Sequence, residues 1–247
     1  MERNMSTEKP GGNQAPPQSD ERIPSASQVL ALEQGVADQS KEQHPDVMQL
    51  LADLIEGFPS AFKALDRADL HRPANEATLL MFGTKAFFSL RSARDLLLAG
   101  RYAQAQVLNR LLFEECMLGK YYLSHPDEAR EYLKLHDTRT PKMGDVLKDL
   151  QLGHLHQDYE ELSQHAHSRP FSTYLSVVSQ VKPSGWTLRS APEYSEALFL
   201  RCVAYSLQYA GEVLQLLVQQ CGDPALGHDT QKLVQRVMDS LNNLEKL

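Results

Sequence analysis

Arg110 and Glu114 stand four residues apart in a segment, about Tyr102 to Leu123, that is apolar almost all the way round. On a helix that spacing puts both charges on one face, shared with Ala103, Val107, Met117 and Tyr121. An unpaired charge carried out of water costs on the order of several kcal/mol, so the pair has two uses if enclosed. It can be an internal ion pair that fixes helix register, or it can line a cleft and act on a ligand. Left exposed, it would contribute only about 0.3 to 0.5 kcal/mol.

Histidines form the second group. Four of the nine fall between His154 and His167, as Gly153-His154-Leu155-His156 and His165-Ala166-His167. In a strand the i and i+2 imidazoles of each pair could chelate a metal; on a helix they point about 200° apart and cannot. The pattern here is helical and no Cys lies nearby, so no metal and no cofactor are expected. His165 or His167, near a helix end, can turn inward as a hydrogen-bonding group or general base while the other meets water. The candidate catalytic residues are therefore Arg110, Glu114, His165 and His167. A Gly-rich phosphate loop, a Gly-x-Ser-x-Gly elbow and a Cys-x-x-Cys pair are all absent, which removes the usual handles for nucleotide-binding, hydrolase and zinc-ribbon readings.

The 247 residues carry 25 basic and 32 acidic side chains, a net charge of −7, with no dense cationic run. That disfavours RNA or DNA as a partner. The longest unbroken apolar run is four residues, far short of the ~18 needed to span a bilayer, so no membrane segment is expected. Residues 1–45 hold only 11 apolar side chains and a Pro/Gly/Gln/Ser-rich stretch, too few to offset the entropy of ordering, and are expected to be a disordered tail. Its cluster Val29 to Leu32 is read as a helical turn or a docking motif. With no secretory signal, Cys116, Cys202 and Cys221 are read as reduced thiols of a cytoplasmic protein.

Residues 46–247 read as a single all-α domain, an up-and-down helical bundle. Val47, Leu50, Leu51, Leu54, Phe58, Phe62 and Leu65 recur at helical steps, with a kink or break expected at Gly57 and Pro59. A long helix from about Asn75 to Ala99 ends at Gly100, and the apolar segment bearing Arg110 follows as a central helix. Ser124 and Pro126 are expected to open the next helix, and Thr140 and Pro141 another, before a polar helix around Tyr159 to His165. Residues 170–190 are β-rich around a Pro183-Ser184-Gly185 turn and read as a short β-hairpin or an ordered loop. Ser190 and Glu193, spaced as a capping box, should start a helix that ends at Gly222. The last segment, with Val234, Val237, Leu241 and Leu244, can pack on the bundle or on a partner.

The run Asn109-Arg110-Leu111-Leu112-Phe113-Glu114, followed by Tyr121-Tyr122-Leu123-Ser124-His125-Pro126-Asp127-Glu128-Ala129, resembles the central signature of an uncharacterised all-helical family of prokaryotic and phage-associated proteins. Ser163-Gln164-His165-Ala166-His167 would be its second motif. The resemblance covers about residues 75 to 215 and implies a bundle in which Arg110 and Glu114 approach Ser163 and one histidine. More distantly, the chain is similar to the HEPN superfamily, whose active members are metal-independent ribonucleases. Arg130 and His136 have the spacing of that superfamily's motif, although position 131 is Glu where Asn or Asp is preferred. Two functions are thus expected: a helical protein-interaction module, self-associating or bound to a protein partner and tied to stress or phage defence, or an HEPN-like ribonuclease.

Overall fold

The computed structural model describes residues 24–66, 72–134, 140–167, 178–182, 185–188 and 192–244. These residues form nine α-helices and one β-ribbon, and the fold is all-α in class. Helix α1 (Ala26–Gln43) corrects the expectation of a disordered tail through residue 45. Ser25 caps it: the Gln28 amide donates to Ser25 Oγ (3.4 Å) and the Ser25 amide to Gln28 Oε1 (2.8 Å). Val36, Ala37 and Ser40 are buried, and Glu33 pairs with Arg101. A few well-placed side chains and a cap order a segment whose composition alone argues for solvent. Residues 1–23 lie outside the described residues.

Helix α2 (Pro45–Asp66) runs unbroken through Gly57 and Pro59, where a kink or break was expected. The missing Cβ at Gly57 makes room for Leu214: a Cβ built there would lie 2.6 Å from its Cδ2. Leu51, Leu54, Phe58 and Ala61 are fully buried on the same stripe, and this packing holds the helix together despite the hydrogen bond that Pro59 cannot donate.

Helices α3 (Ala74–Leu98) and α4 (Tyr102–Ser124) form a tight hairpin through Gly100, whose φ of +67° suits a residue without a Cβ. α4 extends through Ser124, so His125 rather than Ser124 is the N-cap of α5 (Pro126–Leu133), with Pro126 in its first turn. Tyr132 of α5 lies against Phe82 and Tyr122, with ring centres 5.8 and 5.0 Å away. Helix α6 (Met143–Asp149) and a 3-10 turn (Gly153–Leu155) lead into α7 (His156–Ala166), which packs on α4.

Val178–Lys182 and Gly185–Leu188 pair antiparallel, with Val181 opposite Trp186 and Lys182 opposite Gly185. Helix α8 starts at Glu196 with Ser195 as N-cap, several residues beyond the expected Ser190–Glu193 box, and runs to Cys221; Gly222 ends it at φ +63°. Ser190 lies outside the described residues. α8 packs on α2, α3 and α4 together, and α9 (Pro224–Leu244) closes over α8 and α2.

A buried polar network sets the α4–α8 register. The Asn109 amide donates to the Cys202 carbonyl (2.8 Å) and to Gln106 (2.9 Å), and Ser206 Oγ donates to Asn109 Oδ1 (2.6 Å). Sliding α8 by one residue would orphan these groups at about 1 to 3 kcal/mol each. Gly83 brings α3 against α8 so closely that a Cβ would meet Leu217 Cδ1 at 2.7 Å and Cδ2 at 2.9 Å, and Leu217 is fully enclosed. Gly83→Val should therefore lower stability by about 1 to 3 kcal/mol in urea unfolding. Gly35→Ala, at an exposed α1 position with open space around it, should raise α1 stability by up to about 1 kcal/mol.

Candidate functional site

Arg110 projects from α4 at its boundary with α7. Its Nε donates to Glu114 Oε1 (3.1 Å), and Nη2 lies 2.9 Å from the same oxygen. Nη2 also donates to the Tyr159 hydroxyl (3.3 Å), and Nη1 lies 3.3 Å from His167 Nε2. The guanidinium carbon sits 5.4 Å from the Tyr159 ring centre, a stacking worth about 0.5 to 2 kcal/mol depending on desolvation. All three guanidinium nitrogens thus have partners within the chain. Burial disfavours the Arg110 cation, but attraction to Glu114 and the Tyr159 hydroxyl more than offset it and hold the group charged.

The pair is half-buried, with 18% of the Arg110 side chain and 24% of the Glu114 side chain exposed. This corrects the expectation that α4 is enclosed on all sides: Leu111 is 40% exposed, and α4 presents an outer ridge. The two charges are satisfied at the edge of the core.

Helix α7 supplies the other half. Tyr159, Ser163 and His167 recur at four-residue steps, so they share the line that faces α4. Behind Tyr159, Phe113 packs with its ring centre 5.6 Å away and meets Tyr209 edge-on at 4.9 Å. Tyr209 in turn donates to Asp158 Oδ2 (2.8 Å). Ser163 is buried between Tyr159 and His167, its Oγ without a hydrogen-bond partner. The structure therefore brings His167 to Arg110 and Glu114. His165 lies on another line of α7 instead, under the influence of Glu161 and Arg201, which pair with each other across α7 and α8. Its Nδ1 is buried with no partner, and burial, opposed by Glu161 and reinforced by Arg201, pushes its pKa down.

The remaining histidines of this region do other things. His156 pairs with Glu160 on an exposed face (3.3 Å), and His154 is exposed. Among the described residues no group of three or more His, Cys, Asp or Glu is placed to hold a metal ion. Arg130 is exposed and pairs with Asp127 (2.7 Å), while His136 lies outside the described residues. Cys116 and Cys202 are fully enclosed, and burial pushes both thiols well up, away from reactivity.

Tyr159 was missed by the sequence reading, although its four-residue step to Ser163 was there to be read. Glu115 was missed for a different reason: it sits beside Glu114 in sequence but turns toward α3. It is buried, accepts from Ser89 Oγ at 3.3 Å, and leaves Oε2 without a partner. Burial pushes its carboxyl up to about 8, with Ser89 and Lys85 opposing and Glu114 adding to the rise. Comparison with known protein families, curated proteins and solved structures finds no match to this chain.

Glu115 makes stability depend on pH in a definite direction. The folded chain keeps this proton to about pH 8, whereas the unfolded chain releases it near 4.5. Stability from this group is complete below the unfolded value and falls as pH rises, by up to ~1.4 kcal/mol per unit, levelling off above the folded value. Urea midpoints measured from pH 5 to 9 should show this fall in the wild type and a flatter profile in Glu115→Gln. Identical slopes would assign the pH dependence to other groups.

Proposed function

We propose that this chain is a non-enzymatic helical interaction module, an up-and-down bundle that associates with a second copy of itself in the cytoplasm. The observation that carries this reading is the engagement of every Arg110 nitrogen by Glu114, Tyr159 or His167. A cation neutralised by a carboxylate and fixed to a neighbouring helix serves better as a clamp than as a phosphate binder. Self-association is supported by the apolar groups that the α3–α4 hairpin leaves in water, Phe88 (58% exposed) and Leu111, with Met81 alongside on α3. An apolar helix with an uncovered ridge gains by burying it, at about 25 cal/mol per Å². A role in stress or phage defence rests on the family resemblance alone.

One observation favours a second reading, a metal-independent ribonuclease. His167 is exposed and lies 3.3 Å from Arg110, so an imidazole base and a cation able to steady a phosphate adjoin solvent. Glu114 opposes this by occupying the same guanidinium.

Sedimentation of the purified chain separates the two. The module predicts a dimer at micromolar concentration that becomes monomeric, with unchanged helix content, in Phe88→Ser/Leu111→Ser. It also predicts no RNA cleavage above background with EDTA present. A wild type that stays monomeric at about 100 μM would overturn self-association, and RNA cleavage abolished by His167→Ala without loss of folding would replace the module by the nuclease.

A further inference from the structure

The two most exposed large apolar side chains among the described residues are Leu30 of α1, at 65%, and Phe88 of α3, at 58%. Phe88 belongs to an outward stripe of α3, with Met81 and Lys85 before it and Arg91 after it. It lies as far before Gly100 as Leu111 lies after it, within one residue, so the α3–α4 hairpin sets the two at one level. From Ala77 to Arg94 the only charged residues are Lys85, Arg91 and Arg94, and from Ala26 to Ser40 they are Glu33 and Asp38. Arg94 and Glu33 are already engaged, by Asp95 and Arg101. What remains is a cationic apolar stripe on α3 and an acidic apolar edge on α1. Lys85 and Arg91 flank Phe88, each cation lying 5.6 Å from a ring centre, of Phe82 and Phe87. Leu30, Gln34 and Asp38 recur at four-residue steps on one exposed line.

The chain does not cover this stripe by itself. The remaining acids of α3 and α4 are taken, Glu76 and Glu114 by Arg72 and Arg110, while Glu115 is buried against Ser89. Nor can two copies meet stripe on stripe. Two α3 helices running in the same direction would set Lys85 against Lys85 and Arg91 against Arg91; running in opposite directions about Phe88, they would set Lys85 against Arg91. Either way like charges face one another, which costs affinity. Helix α1 has the complementary charge and is free to serve. Its buried residues Val36, Ala37 and Ser40 all lie in its C-terminal half, and Ala26 to Leu32 stand in water apart from the half-buried Val29. Two turns of helix outside the bundle owe little to propensity and gain from packing.

We propose that α1 of a second copy covers this stripe: in a two-fold dimer each copy lays Leu30 on Phe88 and Leu111 of the other and sets Asp38 against Lys85 and Arg91. The docking rests on self-association of the chain and names the element that covers its exposed ridge. Asp38 stands about 12 Å from Leu30 along α1, and each cation about 4.5 Å from Phe88 along α3, so the carboxylate and a long cationic side chain span the remainder. The contact is made twice about the axis, with an apolar centre and charges at its rim.

Sedimentation of the full chain at about 0.1 M salt tests the docking by charge exchange. Leu30→Ser, Asp38→Lys and Lys85→Glu/Arg91→Glu should each weaken the dimer at least about tenfold, with helix content unchanged by circular dichroism. An equimolar mixture of Asp38→Lys and Lys85→Glu/Arg91→Glu should associate as the wild type does, because one contact of the mixed dimer is native and the other has both signs reversed. If any of the three variants dimerises as the wild type does, or if the mixture is no tighter than its components, α1 is not the cover and self-association stands without it. A wild type that is monomeric at about 100 μM removes self-association and the docking with it.

Discussion

A guanidinium placed on an apolar helix must keep its hydrogen-bonding partners as water leaves, and that requirement organises the α4–α7 junction. Arg110 meets it with a carboxylate one turn along its own helix and with a hydroxyl and an imidazole from α7. The ring of Tyr159 serves twice, stacking under the cation on one side and closing against Phe113 on the other. Removing one member of such a set leaves the others desolvated and unsatisfied, which costs more than the contact contributes. The short, polar α7 has only Leu162 and Ser163 buried within it, so these polar contacts position it more than apolar burial does.

The α4–α8 contact works by a different rule. Asn109 and Ser206 are fully enclosed, Ser206 donating to Asn109 and Asn109 donating to the Cys202 carbonyl, so the two long helices have one register. Glu115, further along α4, is the counter-example, a carboxyl held neutral by burial with one oxygen unpartnered. One helix thus carries three solutions to the same problem: a shared network, a half-buried ion pair and a retained proton.

Most of the helical content was legible because three- and four-residue apolar steps, glycine ends and proline starts are local signals. The errors arose where local and tertiary signals disagree. α1 was hidden by composition, although Ser25 and Gln28 spell its capping box. Pro59 suggested a break that the packing of Phe58 and Leu214 overrides. The Arg110–Glu114 pair was readable from spacing and from the apolar residues around it. Its partner histidine was not, because choosing between positions 165 and 167 needs the rotation of α7, which the contacts with α4 set. Tyr159 carries no charge and belongs to no known motif, so only its four-residue step to Ser163 could have singled it out.

The central claim is that Arg110 holds α7 through Tyr159, and a double-mutant cycle with Arg110→Gln and Tyr159→Leu, read by equilibrium unfolding at neutral pH, measures it most directly. The account predicts a coupling of about 0.5 to 2 kcal/mol between the two positions. Effects that add to within about 0.3 kcal/mol would show the two side chains to be neighbours without being partners, and would contradict it.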